Sequence, residues 1–382
     1  MASKHLRIAV VAILAAGAMA LAGCSSSPAP AAPVASGSGD SFDLDALVKA
    51  AKAEGSLTLY TDGTLKTQQA WTDAFTQEYG IPVSIVRDSG APLYQRFAQE
   101  EAAGQKQADV LGNVDPASLD DAIDNGWLAE YTPQDADLFP PAQTRPGYYY
   151  PYINGFAHTV AYNPTKVTPA ELAEVMKDPV KAMEDPKFKG RIGVCPPQTA
   201  QLAQAFWYQY TDGKAKKDVG WKGLAKIAEN VEVITDTATL SQKIVQGEID
   251  FALPVADSIV SSQLAANPDA PIRFIYATPT VGGQFGMGVV ENAAHPNAAR
   301  LFVEWAATPE AATLQAKLSG GMPLNSKGVD ARSYLDADWF KPLDTDKVWY
   351  QSAYSKDPDF LKAVGKEGDF LTHWSQVFGY SG

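Results

Sequence analysis

A repeated alternation of short apolar strands with amphipathic helices constrains the fold of this chain more than any other feature. It begins with a strand at Leu57–Tyr60 and a turn at Asp62 and Gly63. The helix that follows carries its large side chains on one face: Trp71, Ala74, Phe75 and Tyr79. A second strand is predicted at Ile81–Arg87. Repeated units of this kind predict an α/β fold with mainly parallel sheets flanked by helices.

The alternation continues in two blocks, which a Pro- and Tyr-rich segment at residues 131–151 separates. Further strands are predicted at Val110–Gly112, Asn154–Tyr162, Arg191–Val194, Val231–Ile234 and Phe251–Pro254. We expect Ile272–Ala277 to return the chain to the first block. Two crossings in opposite directions predict two lobes joined by a two-strand hinge, which permits bending and limits twist.

Chain length also favours two lobes, because about 340 residues follow the N-terminal segment and one hydrophobic core rarely organises so many. The predicted division is a signal peptide at 1–23, a lipidated cysteine with a flexible linker at 24–41, a first lobe at 42–152 plus 275–330, a second lobe at 153–274, and C-terminal helices packed on the lobes at 331–382.

The first residues have the layout of an export signal. Lys4 and Arg7 precede an apolar run, Ile8–Ala20, which is too short to span a bilayer. Small residues then lead to Cys24, the position at which a lipoprotein receives its diacylglycerol. The alternative is a plain signal peptide with a chance cysteine. The Ser-, Ala-, Pro- and Gly-rich stretch 25–41 favours the lipoprotein, since it has the composition of a flexible tether.

Charge and cysteine content exclude several classes of protein. Without the signal segment the chain has 29 basic and 44 acidic side chains, which argues against nucleic acid or an anionic lipid surface as a partner. Once Cys24 is lipidated, Cys195 is the only thiol, so an intramolecular disulfide is impossible. We expect Cys195 to act as a small buried apolar side chain and the large core to stabilise the fold.

Motifs spread over about 270 residues resemble a known family of transport proteins. In chain order they are Leu57–Gly63, Ala108–Val110, Val160–Asn163, Asp185–Gly190, Gly247–Ala252, His295–Phe302, Thr308–Glu310 and Gly320–Asn325. In order and spacing they are similar to the ABC-transporter solute-binding proteins of the ferric-iron, thiamine and 2-aminoethylphosphonate group. That resemblance implies the type 2 periplasmic-binding-protein (Venus-flytrap) fold, a ligand held between two lobes, and a membrane permease as partner.

One departure from the family bears on the ligand. Its ferric-binding members carry two adjacent tyrosines where this chain has Asp257 and Ser258. The departure puts tyrosinate-type iron binding in doubt. An alternative that stays open is a ferric-binding protein with other ligands. His158, His295 and His373 are scattered, so a histidine metal site is not predicted, and no cofactor is expected.

Candidate ligand-binding residues follow from the rule that ligands of open α/β sheets lie at the carboxyl ends of strands. The predicted set is Tyr60, Asp62, Gly63, Thr64, Asp115, Thr199, Asp257 and Gln284. Several of these loops open helices, whose free N–H groups and dipole favour an anion. Asp62, Asp115 and Asp257 favour an amine instead. Each aspartate is either a ligand contact or an N-cap, and two or more of them in the cleft would favour a cationic or zwitterionic ligand.

The remaining features leave alternatives open. The tyrosines at 148–152 either stack on a ligand or pack at the hinge. Enzymatic motifs such as Gly-x-Ser-x-Gly and His-Glu-x-x-His are absent, so no enzyme activity is predicted. A cell-envelope lipoprotein hydrolase, with Asp62 and Asp115 as acid and base, is the alternative from another class.

The sequence therefore predicts a lipoprotein on the outer face of the cell membrane that serves an ABC importer. It captures an organic cation, a zwitterion or a phosphonate-type compound between its lobes and delivers it to a permease. We expect the protein to be a monomer.

Overall fold

Strands and helices alternate along the chain in the predicted order. The computed structural model describes residues 42–140, 144–152, 155–213, 218–344 and 347–381, which lie within one compact unit. The strands are β1 (Leu57–Thr61), β2 (Val83–Arg87), β3 (Val110–Asn113), β4 (Gly155–Tyr162), β5 (Ile192–Val194), β6 (Val231–Ile234), β7 (Phe251–Ala256), β8 (Arg273–Tyr276), β9 (Thr280–Gln284), β10 (Gly286–Val289) and β11 (Val348–Tyr350).

Helices occupy most of the connections between these strands, and others precede β1 or follow β11. They are α1 (Leu44–Glu54), α2 (Leu65–Tyr79), α3 (Gly90–Ala102), α4 (Pro116–Asp124), α5 (Pro169–Val175), α6 (Gln201–Thr211), α7 (Gly220–Asn230), α8 (Thr237–Gln246), α9 (Asp257–Ala266), α10 (Pro296–Ala307), α11 (Pro309–Ser319), α12 (Gln351–Tyr354), α13 (Pro358–Val364) and α14 (Phe370–Phe378). Within the described part of the chain, none of them is long and apolar enough to cross a membrane.

The first sheet has the strand order β10-β3-β1-β2, with β1 parallel to β2 and β3 and with β10 antiparallel to β3. One of its faces is covered by the apolar side of α2, as the spacing of Trp71 and Phe75 predicts. Both rings are fully buried, and they pack edge-on against Phe302 of α10. The indole N–H of Trp71 donates to the carbonyl of Ala311, so its polar atom is also satisfied.

The second sheet is mixed, in the order β11-β9-β4-β7-β5-β6, and β8 also pairs with β4. The strand expected to return to the first lobe, β8, instead lies antiparallel to β4 in this second sheet. The eight-residue β4 accommodates both neighbours, since β9 pairs with its first half and β8 with its second half. Phe274 of β8 is buried among Tyr334 and Phe340, which holds the strand on this lobe.

The chain crosses between the sheets along two neighbouring segments. Gly155 at the start of β4 pairs with Gln284 at the end of β9, and on the other side Tyr150 pairs with Met287 of β10. The return therefore takes place between β9 and β10. Two antiparallel segments side by side form the predicted two-strand hinge.

Residues after Tyr334 complete the second lobe. β11 adds a parallel strand beside β9. Phe360, Phe370 and Trp374 from α13 and α14 are buried in the same core as Trp207 of α6. Lys356 also forms a 2.6 Å ion pair with Asp120 of α4, which links this segment to the first lobe.

The predicted signal peptide at 1–23, the lipidated Cys24 and the linker to residue 41 lie outside the described residues.

Candidate ligand-binding site

The largest cavity we describe lies between the two sheets, at the carboxyl ends of their strands. Its volume is about 690 Å³. The first lobe contributes Gly90, Ala91, Val114 and Asp115, from the loops after β2 and β3, and the second contributes Cys195, residues 199–203, Asp236, Thr237 and Ala256. Phe156, His158 and Gln351 complete the wall. We call this the main cavity; its place is the one that the topology of an open α/β sheet predicts for a ligand.

Two helices, α3 and α6, begin at the main cavity without a capping side chain. Their N-cap residues are Ser89 and Ala200, and neither side chain accepts a hydrogen bond from the first turn of its helix. The N–H groups of a first turn have no partner within the helix, and the helix dipole gives this end a partial positive charge. Together these ends form a site suited to a phosphonate, phosphate or carboxylate group.

Two carboxylates face the same cavity, one from each lobe. Asp115 caps α4, with Ala117 N–H donating to its Oδ1 at 3.1 Å and Ser118 Oγ to its Oδ2 at 2.9 Å. Asp236 caps α8 and accepts from the N–H groups of Ala238 and Thr239. Capping and cavity lining are thus compatible at one residue.

Asp236 is the N-cap of α8 and does not belong to the predicted set of ligand-binding residues. Its place after the carboxyl end of β6 is the signal that could have added it to the predicted site. Hydrogen bonds lower the pKa of the Asp236 carboxyl group, and those donated by Thr239 have the largest effect. Asp236 is therefore a carboxylate at neutral pH.

Asp62 lies behind the wall of the main cavity. Its Oδ2 accepts a 3.0 Å hydrogen bond from Val114 N–H, while its buried Oδ1 has no partner. Burial raises the pKa of this carboxyl group to about 6. A side chain at residue 90 would begin only 3.0 Å from Oδ2, so glycine at this position lets α3 start close to Asp62.

Replacing Asp62 with asparagine is expected to remove a pH dependence of stability. In the folded protein Asp62 keeps its proton up to about pH 6, whereas in the unfolded chain it loses it near pH 4. Its stabilising contribution is therefore complete below pH 4 and is lost as the pH rises to 6. We expect Asp62→Asn to be more stable at pH 7.5 by about 2 kcal/mol, measured by urea unfolding at several pH values. Parallel pH profiles for the two proteins would contradict this assignment.

Asp257 does not face the main cavity. It is the first residue of α9 and is buried, and Ala157 N–H and the Tyr276 hydroxyl donate to its carboxylate at 3.1 and 2.7 Å. Arg332 lies 3.6 Å from the same group. Burial raises the pKa of Asp257, and the charge of Arg332 opposes that rise. The structure therefore gives Asp257 a role in holding together β4, β8 and the segment around Arg332.

The other predicted residues divide between several environments. Thr199 lines the main cavity, and its hydroxyl donates to the carbonyl of Pro196 at 2.8 Å. Tyr60 is buried in the first lobe and its hydroxyl donates to Glu100, away from the cleft. Gln284 is buried in β9, and neither atom of its amide group has a partner.

Gly63 and Thr64 line a second, smaller cavity of about 300 Å³. We call it the side cavity. It shares Phe156 and Ala256 with the main cavity, so the two adjoin. Its remaining lining residues are Thr67, Gln68, Ser258, Ile259, Ser262, Phe285, Gln315, Leu318 and Ser319.

His158 is a wall residue of the main cavity that the sequence did not single out. Burial lowers the pKa of its imidazole to about 3, so the ring is neutral at physiological pH. Its Nδ1 is buried without a partner, and the ring packs edge-on against Phe206. A neutral imidazole offers a ligand one donor and one acceptor. Only its position on β4 beside the crossing could have indicated this role.

The tyrosines near the hinge pack within the first lobe. Tyr150 and Tyr152 are buried, with ring centroids 6.0 and 5.3 Å from that of Phe139. Tyr149 is buried as well and covers Leu119. The alternative of packing, which the sequence left open, is what the structure shows for these three rings. No group of three or more His, Cys, Asp and Glu side chains that could hold a metal ion occurs in the part of the chain described.

A serine, a histidine and an aspartate lie in series at the opposite end of the first sheet. His295 Nε2 is 3.0 Å from Ser56 Oγ, and its Nδ1 is 2.9 Å from Asp109 Oδ2. The Asp109 carboxylate also accepts hydrogen bonds from the backbone N–H groups of Thr58 and His295. None of the three lines the main cavity or the side cavity. Their hydrogen bonds tie the start of β1 to the start of α10.

Comparison with solved structures shows the same fold. Iron-bound HitA from Pseudomonas aeruginosa aligns with a TM-score of 0.63 at 22% identity, over 84% of this chain and 99% of HitA. AfuA from Actinobacillus pleuropneumoniae, solved with fructose-6-phosphate, aligns with a TM-score of 0.59 at 19% identity, over 86% and 99%. Both are periplasmic binding proteins of the two-lobed type, which confirms the predicted fold class.

Sequence comparison gives the family. A relative from Salmonella typhimurium, named as a 2-aminoethylphosphonate-binding periplasmic protein, is 28% identical over 291 residues, which are 72% of this chain and 80% of the relative. An uncharacterized Haemophilus influenzae protein is 24% identical over 311 residues, 78% and 86% of the two chains. The profile of the family described as bacterial extracellular solute-binding protein matches residues 60–313. The chain therefore belongs to the bacterial extracellular solute-binding proteins, the extracytoplasmic components that serve ABC importers.

Proposed function

We propose that this protein binds a small zwitterion of the 2-aminoethylphosphonate type in the main cavity. The observation that carries the proposal is the pairing of opposite charges there. Helix amino ends without capping side chains converge on the cavity, and they favour an acidic group. Asp115 and Asp236 line the same cavity from opposite lobes, and they favour an amine. A molecule with an acidic group at one end and an amine at the other satisfies both.

A zwitterionic ligand reconciles two predictions from the sequence that pointed to different ligands. The helix amino ends favour an anion, and the aspartates favour an amine. A zwitterion also agrees with the name of the Salmonella typhimurium relative, whereas the iron-bound and sugar-phosphate-bound structures share too little sequence to indicate a ligand. The neutral ring of His158 adds an uncharged hydrogen-bonding group to the wall.

The mechanism we infer is closure of the two lobes on the ligand. A molecule that touches Asp115 on one lobe and Asp236 on the other binds a closed arrangement better than an open one, and this difference shifts the population towards closure. Closure excludes water, which strengthens each polar contact. The closed pair of lobes is then the form that the permease recognises. No step of this mechanism requires bond chemistry, and we infer that the protein is not an enzyme.

The lobe division that we propose keeps the predicted first crossing near residue 152 and moves the return crossing from residue 275 to the link between β9 and β10. We also propose that the protein acts as a monomer and is held at the outer face of the membrane by a diacylglycerol on Cys24. The tether-like composition of residues 25–41 supports this anchor. An unmodified cysteine in the intact mass of the membrane-extracted protein would contradict it.

The direct test is calorimetric titration of the purified protein with three probes. We expect 2-aminoethylphosphonate to bind, and ethylphosphonate and ethylamine, each of which has only one of the two charges, to bind at least about a hundredfold more weakly. Equal affinity for ethylphosphonate would show that the aspartates do not contact the ligand. Tight binding of a ferric salt by the same protein, with no binding of the zwitterion, would favour the iron-binding alternative.

A further inference from the structure

The side cavity contains hydrogen-bonding groups that the fold does not use. Gln68 of α2 and Gln315 of α11 line it, and each side chain is 1% exposed. Gln68 Oε1 and both amide atoms of Gln315 have no hydrogen-bond partner. Leaving such groups buried and unpaired is costly. The side cavity is therefore lined by an unpaired amide oxygen of Gln68 and by the unpaired amide oxygen and nitrogen of Gln315.

Neighbouring residues keep this space open. A Cβ atom at Gly63 would lie 2.7 Å from Gln68 Nε2, so glycine at this position leaves room for the Gln68 side chain over the loop after β1. Across the cavity stand Ser258, Ile259 and Ser262 of α9, which belong to the other lobe. The cavity thus lies between the lobes and adjoins the main cavity at Phe156 and Ala256.

The chemistry of the lining is uncharged. None of its residues is acidic or basic; hydroxyl and amide groups alternate with apolar walls from Phe156, Phe285, Ile259 and Leu318. A charged group would find no partner here. A hydroxyl or amide carried on a short carbon chain would pair with both glutamines and also cover the apolar walls.

We propose that the side cavity is a second compartment of the ligand site, which takes a hydroxylated extension of the bound zwitterion. The inference rests on the proposed function, because the charged part of the ligand must first occupy the main cavity. The volume of the main cavity supports a larger ligand, since 2-aminoethylphosphonate is far smaller than the molecules that pockets of several hundred Å³ enclose. The substrate class is then a zwitterionic phosphate or phosphonate ester with a neutral hydroxylated substituent.

The test compares three probes: 2-aminoethylphosphonate, the glycerol ester of phosphoethanolamine, and its propyl ester, which has no hydroxyl groups on the extension. We expect the glycerol ester to bind about tenfold more tightly than either of the other two. Gln315→Leu should remove this preference and leave the affinity for 2-aminoethylphosphonate within about twofold. Gln209→Leu is the matched control, because Gln209 is also a buried glutamine (2% exposed), lies outside both cavities, and should leave all three affinities unchanged.

The outcomes separate this inference from the proposed function. If 2-aminoethylphosphonate binds and the glycerol ester binds no more tightly than the propyl ester, the side cavity holds only water and the inference fails alone. The same conclusion follows if Gln315→Leu leaves the preference intact. If no zwitterion binds the wild-type protein, the proposed function fails and the inference fails with it.

Discussion

Replacing Asp257 with alanine is expected to lower the free energy of unfolding by about 3–5 kcal/mol. The carboxylate is buried, and Arg332, which is 5% exposed in its side chain, is its ionic partner at 3.6 Å. Without Asp257 the Arg332 guanidinium keeps its ion pair with Asp330 but loses its second anionic neighbour. The Ala157 N–H group and the Tyr276 hydroxyl both lose their hydrogen-bond acceptor. Urea unfolding at pH 7 measures the loss.

The control is the half-buried cap of a distant helix. The Asp357 carboxylate accepts hydrogen bonds from the backbone N–H groups of Asp359 and Phe360 at the start of α13. Asp357→Ala should lower the free energy of unfolding by only about 1 kcal/mol. Asp257→Asn should fall between the two variants, because its amide oxygen can still accept from Ala157 N–H. A loss for Asp257→Ala no larger than that for Asp357→Ala would show that the buried contacts of Asp257 contribute little.

The second large effect is expected on binding. Asn caps helices as well as Asp does, so the double variant Asp115→Asn, Asp236→Asn keeps α4 and α8 capped while it removes both negative charges from the main cavity. We expect its affinity for 2-aminoethylphosphonate to fall at least about a hundredfold, since an amine held by two carboxylates loses both ionic partners. Calorimetric titration measures this change.

Ethylphosphonate provides the matched comparison, because it has the acidic group without the amine. Its affinity should be unchanged or higher in the double variant, since removal of two carboxylates also removes repulsion of the anion. Asp357→Asn should bind both probes as the wild type does. If the double variant lost affinity for both probes equally, the aspartates would be acting on the shape of the cavity and not on the amine.

Local sequence rules predicted most of the framework. The structure has β6 at its predicted bounds, Val231–Ile234, and α2 buries Trp71 and Phe75 on the predicted face. The carboxyl-end rule placed Asp115 and Thr199 in the main cavity, and Gly63 and Thr64 in the adjoining one. The positions of such residues depend on their neighbours along the chain, which can be read directly from the sequence.

The parts that sequence could not predict depend on partners far along the chain. Asp257 has the local pattern of a loop residue at a strand end, and only the approach of Arg332, 75 positions later, makes it a buried ionic partner. In the same way, β8 stays on the second lobe because Tyr334 and Phe340 cover Phe274. Gln68 and Gln315 meet at one cavity although α2 and α11 are far apart in sequence. No periodicity or motif reports contacts of this kind.

The order of strands in the second sheet has a consequence for how the protein is made. Its central strand, β4, is synthesised early, but its neighbours β7, β8 and β9 come about a hundred residues later, and the edge strand β11 ends at Tyr350. The first sheet likewise cannot be completed before β10, which pairs with β3, has been synthesised. Neither lobe can finish folding while the ribosome is still producing the middle of the chain. Pairing across such distances is slow, so we expect both lobes to finish folding only after most of the chain has been synthesised.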